Sequence, residues 1–241
     1  MSKVSSMPPS SSAPAAVLWD MDGTLIDSEP LWLEAELVML ARYDIELTDE
    51  VKHWLVGSGL RAAAARFQEL GVPMSSDEII AEWRDAVIAG LLKGEPAWRP
   101  GAVELLASLE TAGIPSALVT MAVRPIADAV VGMLPAGSFK AIIGGDEVAK
   151  EKPDPDPYLR GAAMLGVPIE HCVAIEDSPT GLRSAHAAGA VAIGVPNLID
   201  LSQAPSHALW PTLAGIDATI LSQRFTQLRG DARSSQPDGS K

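Results

Sequence analysis

The sequence predicts an α/β protein: a doubly wound parallel sheet with an all-helical segment inserted after the first strand. Two observations predict this fold. Beyond about residue 100, short apolar runs of strand length alternate with helical segments, as in a parallel sheet covered by helices. A similar run at 15–19 comes much earlier and is followed by a long helical pattern without strand signals. We therefore expect the first strand to join the later sheet.

The elements follow from the spacing of apolar residues and from Pro and Gly at the breaks. Strands are predicted at 15–19, 116–120, 141–144, 172–176 and 190–194, and core helices at 102–112, 124–133, 155–165 and 179–188. The inserted block contains amphipathic segments at 31–40, 60–70 and 77–92, between linkers at 26–30 and 94–101. These patterns predict a discontinuous core at 15–27 and 96–228 and a helical cap at 28–95.

Composition limits the remaining choices. The 241 residues are 47% hydrophobic, which is enough for a buried core, and the net charge of −13 argues against nucleic-acid binding. Cys172 is the single cysteine, and its apolar surroundings predict a small buried hydrophobe. Residues 1–14 and 229–241 are predicted to be a disordered leader and tail. Without a membrane span or signal peptide, we expect a cytoplasmic protein, a monomer or weak dimer.

Two carboxylates follow the first strand. Asp20 and Asp22 are placed where it ends, and Gly23 permits a sharp turn directly after them. Carboxyl ends of parallel strands form the ligand crevice of open α/β sheets. Two neighbouring carboxylates repel each other unless a cation lies between them, and oxygen ligands suit Mg²⁺. An ordinary Asp-Gly turn would explain the same residues without a metal.

Other strand ends add polar groups that can converge with this pair. Thr120, Lys152 and the dipeptide 176–177 follow later strands or lie in the loop between them, so all should lie at one edge of the sheet. Each has a structural explanation when taken alone. Thr120 can cap a helix, Lys152 can be a solvated loop residue, and Asp177 can belong to a capping turn. Their joint occurrence favours one functional site.

The sequence resembles the haloacid dehalogenase-like hydrolases. The resemblance is carried by Asp-Met-Asp-Gly-Thr at 20–24, Thr120, Lys-Pro-Asp-Pro at 152–155 and Glu-Asp-Ser-Pro-Thr-Gly at 176–181. It spans nearly the whole chain outside the tails. It implies a Rossmann-like core with a mobile helical cap, and hydrolysis of a small phosphorylated metabolite.

The resemblance also implies roles for the residues that match the motifs. Asp20 would attack phosphorus and form an aspartyl-phosphate, a covalent route open to carboxylates. Asp22 would protonate the leaving oxygen and then activate water. Thr120 and Lys152 would hold the phosphoryl oxygens.

The cofactor implied by the resemblance is Mg²⁺. Its ligands would be the side chains of Asp20 and Asp177 and the backbone carbonyl of Asp22, with Glu176 as a further or water-mediated ligand. The metal and Lys152 would supply the positive charge that lets an acidic protein accept a phosphate.

Three functions remain open: a phosphatase, a β-phosphoglucomutase-like mutase, and an inactive phosphate-binding protein. Trp32 stands near the position where the mutase resemblance would need a His, which favours the phosphatase. Arg61, in the predicted cap loop at 56–61, is a candidate substrate contact or a surface arginine. Arg124 could bind a substrate anion or simply begin the following helix.

Overall fold

The computed structural model describes residues 12–55 and 59–234. Its core is a parallel sheet of 6 strands in the order β3-β2-β1-β4-β5-β6. The strands are β1 (Ala16–Trp19), β2 (Ser116–Val119), β3 (Ala141–Ile143), β4 (Cys172–Glu176), β5 (Val191–Gly194) and β6 (Ala208–Leu209). The predicted α/β architecture is confirmed, and strand ends differ from the predicted ones by at most one residue.

The strands are apolar because helices cover both faces of the sheet. All residues of β1, β2, β4 and β5 are buried. The covering helices are α5 (Ala102–Thr111), α6 (Arg124–Gly132), α7 (Asp156–Leu165), α8 (Pro179–Ala188) and α9 (Ala218–Ser234). Cys172 is fully buried, as predicted. Burial raises the pKa of its thiol to about 12, so it behaves as a core side chain.

Between β1 and α5 the described chain is helical. The inserted helices are α1 (Glu29–Arg42), α2 (Asp49–Leu55), α3 (Leu60–Glu69) and α4 (Ser76–Leu91). Ser75 and Glu78 form a capping box that begins α4. Phe67 and Trp83 pack edge to face with ring centroids 4.7 Å apart, which ties α3 to α4.

The two predicted linkers lie side by side. Ile26 pairs with Trp98 in an isolated antiparallel bridge, and the amide of Asp27 donates to the carbonyl of Ala97 at 2.8 Å. The chain therefore leaves and re-enters the core at one place, as an inserted cap requires. The domain boundaries at 28 and 95 stay a proposal.

Two features of the C-terminal part differ from the prediction. The two-residue strand β6 was not predicted because it has no apolar run of strand length. Helix α9 continues to Ser234, so residues 229–234 of the predicted disordered tail are helical. Arg229 explains part of this extension: its guanidinium lies 5.3 Å from the ring of Phe225 and 3.3 Å from Nδ1 of His171.

Residues 12–14 of the predicted leader belong to the described structure. Pro14 is buried, and the carbonyl of Ser12 accepts a hydrogen bond from Thr226 on α9 at 2.8 Å. Residues 1–11 and 235–241 lie outside the described residues. Within residues 12–55 and 59–234, no helix has both the length and the apolar character needed to cross a bilayer.

Candidate active site

The C-terminal edge of the sheet brings the predicted polar residues together around a sharp turn after β1. Gly23 adopts a positive φ of 78°, and a Cβ at this position would collide with the carboxylate of Asp177. Glycine therefore lets the β1 turn approach the end of β4. Strands β1 and β4 are direct neighbours, with Trp19 paired to Ile175, so Asp20 and Glu176 follow at the same level.

Lys152 lies at the centre of the site. Its ammonium donates to Asp20 at 2.8 Å, to Glu176 at 2.7 Å and to the carbonyl of Val119 at 2.9 Å. Burial alone would lower the pKa of Lys152, but the charges of Asp20 and Glu176 outweigh it and raise the pKa. The lysine is thus a buried, fully hydrogen-bonded cation. It is not the solvated loop residue of the alternative interpretation.

Glu176 is fully buried and holds this lysine in place. Its Oε1 also accepts a hydrogen bond from the hydroxyl of Tyr158 at 2.7 Å, and its Oε2 accepts from the hydroxyl of Ser178 at 3.1 Å. A Cβ at Gly181 would overlap the Glu176 carboxylate, so the glycine after the Ser-Pro turn makes room for it. Both oxygens already have donors within the protein.

Asp20, Glu176 and Asp177 form a cluster whose oxygens lie within 4.8 Å of one another. Burial, and then the charge of Glu176, raises the pKa of Asp20 to about 7, although Lys152 opposes the shift. Burial, with the charges of Asp20 and Glu176, also holds the pKa of Asp177 well above its usual range. The cluster has more negative charge than one lysine balances, and its hard oxygen donors fit a divalent cation such as Mg²⁺.

Three side chains hold Asp22. Its Oδ1 accepts hydrogen bonds from the hydroxyl of Ser28 at 2.5 Å and from Nε1 of Trp32 at 3.0 Å, and its Oδ2 accepts from Thr120 at 3.3 Å. Thr120 is fully buried, and its hydroxyl also accepts a bond from the amide of Ala122. The carboxylate of Asp22 is therefore fixed from β2, from the linker and from α1.

The two candidate arginines lie elsewhere. Arg61 is 70% exposed and pairs with Asp77 at 3.1 Å, which supports the surface alternative. Arg124 is the first residue of α6 and pairs with Asp128 and Glu147. Neither residue lines the cavity described next. Residues 56–58 of the predicted cap loop lie outside the described residues.

A cavity of about 510 Å³ lies between the sheet edge and the helical cap. On the core side it is bounded by Asp20, Asp22, Lys152 and Asp177. Cap residues that line it include Glu29, Trp32, Leu33, Glu36, Lys52, Leu60, Ala63 and Trp83. This is the size of a small-molecule site, with apolar walls and a few convergent polar groups.

Sequence reasoning missed several residues of this site. Ser28 and Tyr158 contact charged groups but belong to no motif used above. Glu29 and Glu36 are separated by seven residues, the helical spacing that places two side chains on one face, and this signal was present in the sequence.

Comparison with known proteins identifies the family to which the chain is similar. The sequence model of the haloacid dehalogenase-like hydrolase family matches residues 17–195, which is more than half of the chain. The matched segment contains the first strand except Ala16, the cap, and every core residue of the cavity named above.

Individual relatives cover most of the chain. Hexitol phosphatase A of Escherichia coli (strain K12) is 33% identical over 192 residues, 74% of this chain and 81% of the relative. Phosphoglycolate phosphatase of the same organism is 31% identical over 218 residues, 78% and 85% of the two chains. The crystal structure of CbbY from Rhodobacter sphaeroides in complex with phosphate superposes with a TM-score of 0.77 at 30% identity, covering 86% of this chain and 99% of that one.

Proposed function

The chain belongs to the haloacid dehalogenase-like hydrolases and is a phosphatase-type enzyme of that family; on this premise we propose that it hydrolyses a small phosphorylated metabolite, with Mg²⁺ and an aspartyl-phosphate intermediate. The substrate would be a sugar phosphate or a phosphoglycolate-like ester. The observation that carries the proposal is the direct contact between Asp20 and the buried Lys152 on the floor of the cavity, beside the carboxylate of Asp22.

Asp20 would be the nucleophile. One of its oxygens attacks phosphorus, the bond from phosphorus to the ester oxygen breaks, and the phosphoryl group is left on the carboxylate as an acyl phosphate. Water then attacks phosphorus, releases inorganic phosphate and restores Asp20. The hydrogen bond from Lys152 at 2.8 Å orients the carboxylate and offsets repulsion between two anions.

Asp22 would be the general acid and base. It follows the nucleophile by two residues, and its carboxylate lines the same cavity. It would give a proton to the departing ester oxygen and later take one from the attacking water. The bonds from Ser28 and Trp32 support this assignment because they hold the carboxylate in one position. Thr120 would help to hold the phosphoryl oxygens.

The metal would be held by the side chains of Asp20 and Asp177 and by the backbone carbonyl of Asp22. Clustered carboxylates with raised pKa values support this site, as argued above. When bound, Mg²⁺ supplies charge stabilisation to the phosphoryl oxygens. Glu176 is better assigned as a positioning residue for Lys152, because both of its oxygens are already hydrogen-bonded within the protein.

The mutase alternative receives less support. Trp32 of α1 contacts Asp22, and its indole N–H donates a hydrogen bond but has no basic nitrogen. The cap therefore offers no base at the position where the mutase resemblance would need a histidine. The inactive alternative is not favoured either, since the proposed nucleophile, acid, lysine and metal ligands all lie around one cavity.

The test is phosphate release from p-nitrophenyl phosphate and from a panel of phosphorylated metabolites. We expect turnover with Mg²⁺, loss of turnover with EDTA, and a decrease in kcat of at least about 10³-fold in Asp20→Asn. Asp85→Asn, at an exposed position in an ion pair with Arg84, is the matched control. A normal rate in Asp20→Asn would contradict the proposal. Conversion of β-glucose 1-phosphate to the 6-phosphate without hydrolysis would favour the mutase.

Cytoplasmic location and a monomeric or weakly dimeric state stay predictions. Cell fractionation would test the first, and light scattering over a range of protein concentrations would test the second.

A further inference from the structure

Two glutamates of α1 form part of the cap wall of the cavity. Glu29 and Glu36 are separated by seven residues, so they lie on one face of the helix. Both are half-buried and both line the cavity. Asp27, in the preceding linker, lines it as well. The cap and the linker therefore contribute three carboxylates to the cavity wall.

Neither glutamate is satisfied by the protein. Among residues 12–55 and 59–234, no side chain or amide donates a hydrogen bond to the carboxylate of Glu29 or Glu36. Burial, and then the charge of Asp22, raises the pKa of Glu29 to about 7. Burial, and then the charge of Glu29, raises the pKa of Glu36 to about 7. Three carboxylates of the core differ, because Asp20, Asp22 and Glu176 accept hydrogen bonds from neighbouring side chains. Asp177, a proposed metal ligand, accepts none from the described residues.

A separate observation concerns Trp83 of α4, which also lines the cavity. The side chain is only 1% exposed, yet its Nε1 has no hydrogen-bond partner within the described part of the chain. A buried N–H without an acceptor is costly, and such groups normally have a partner. The cap wall thus combines hydrogen-bond acceptors that lack donors with a donor that lacks an acceptor.

Hydroxyl groups match both needs, because each can donate one hydrogen bond and accept others. Above about pH 7, where Glu29 and Glu36 are charged, a carboxylate on the leaving group can only accept hydrogen bonds and would meet two like charges. The cavity contains two lysines, Lys52 and Lys152. Lys152 is already engaged by Asp20 and Glu176. Lys52 is exposed, so solvent screens its charge more than it screens the charges of the half-buried glutamates.

We propose that Glu29, Glu36 and Trp83 select an uncharged, hydroxyl-rich leaving group, a polyol or sugar, and reject leaving groups that carry a carboxylate. The proposal rests on the proposed function and narrows it. Hydroxyls of the substrate donate to the two glutamates, and one accepts from the indole N–H of Trp83, which is shielded from solvent and is reached when the surrounding side chains shift. Of the two substrate types considered above, it selects the sugar-phosphate type over the phosphoglycolate type.

The experiment compares pairs of phosphate esters whose leaving groups differ only in carrying a hydroxymethyl group or a carboxylate. Glucitol 6-phosphate and 6-phosphogluconate share a carbon chain and differ at C1, a hydroxymethyl group against a carboxylate. Hydroxyethyl phosphate and phosphoglycolate form a second, smaller pair. At pH 8, where both glutamates are mostly charged, we expect kcat/KM to be at least about tenfold higher for the neutral member of at least one pair and not lower in the other. The double variant Glu29→Gln/Glu36→Gln should decrease that ratio by a similar factor.

Glu34→Gln is the control, since Glu34 is an exposed residue of the same helix that does not line the cavity, and its ratio should equal that of the wild type. Hydrolysis of p-nitrophenyl phosphate separates the two proposals. If it occurs but the neutral members show no advantage, including no turnover of either member, the selection proposal is overturned and the phosphatase stands. An unchanged ratio in the double variant also overturns it. If neither p-nitrophenyl phosphate nor any ester of the metabolite panel is hydrolysed, both proposals fail.

Discussion

The cavity lies between two surfaces: the core edge, formed by residues at the C-terminal ends of the strands, and the cap wall, formed by residues of the helical cap. The two surfaces differ in how many hydrogen bonds their carboxylates accept within the protein. At the core edge, Lys152 donates to Asp20 and Glu176, and Asp22 accepts from three side chains. On the cap wall, Glu29 and Glu36 accept no hydrogen bond within the described residues. One side is organised before any ligand binds, and the other is completed by the ligand. This difference fits the two proposed roles: the core edge carries out phosphoryl transfer, and the cap wall selects the leaving group.

The topology explains why the core edge can be organised in advance. Its residues follow neighbouring strands β1, β2 and β4, whose pairing fixes their relative positions. The glutamates of the cap wall come from a helix reached through a linker. Cap opening and closing therefore stays an expectation, and solution scattering with and without a phosphate analogue would test it.

Lys152→Met should have the largest effect, because it breaks the organised side. The substitution removes the cation and leaves the buried carboxylates of Asp20 and Glu176 without it. We expect the free energy of unfolding to decrease by about 3–5 kcal/mol near pH 8, and kcat to decrease by at least about 100-fold. Urea unfolding and steady-state kinetics measure the two quantities.

Lys150→Met is the matched control for this substitution. Lys150 is 72% exposed and pairs with Asp154 at the surface, so removing it should leave stability and turnover nearly unchanged. Equal effects of the two substitutions would contradict the central position that the structure gives to Lys152.

Glu36→Gln tests the cap wall, because the effect of this substitution on stability should depend on pH. Burial raises the pKa of Glu36 from 4.5 to about 7, so the folded state binds the proton more tightly than the unfolded state. The stability contributed by this protonation is fully present below about pH 4.5 and is lost as the pH rises through 7. Relative to wild type, Glu36→Gln should therefore gain stability between pH 5 and pH 8, by about 1–3 kcal/mol.

Thermal or urea unfolding at several pH values measures this difference. Glu34→Gln on the same helix should show no such trend, because Glu34 is exposed. A difference between Glu36→Gln and wild type that stays constant from pH 5 to pH 8 would show that Glu36 is not buried as described.

Arg61→Ala should have the smallest effect. The ion pair between Arg61 and Asp77 is exposed on both sides, with 70% and 80% of the side chains accessible, and such pairs contribute about 0.2–1 kcal/mol. We expect kcat/KM to stay within about twofold of wild type, because Arg61 does not line the cavity and its exposed ion pair contributes little energy. A tenfold increase in KM would show that Arg61 contributes to substrate binding.

Much of this arrangement could be predicted from the sequence. Apolar runs and their Pro and Gly boundaries located the strands, and the parallel topology then placed Asp20, Thr120, Lys152 and Asp177 at one edge. Local patterns were sufficient because strand ends determine where these residues lie.

The rest depends on contacts between distant residues. Tyr158 lies on α7 and reaches Glu176 only because α7 packs on the sheet, so its hydroxyl has no local signal. Residues 229–234 are polar enough to resemble a tail, but Arg229 contacts Phe225 and His171. The orientation of the cap over the core, which decides whether Glu36 or Arg61 faces the cavity, likewise follows from packing.

The most direct test of the account is to trap the covalent intermediate. Enzyme mixed with a turned-over ester and Mg²⁺ is quenched in acid and reduced with borohydride, which converts an aspartyl-phosphate to homoserine, and peptides are then analysed by mass spectrometry. We predict homoserine in place of aspartate at Asp20, only when substrate is present. Turnover without modification at Asp20, or modification at another carboxylate such as Asp22 or Asp177, would contradict it.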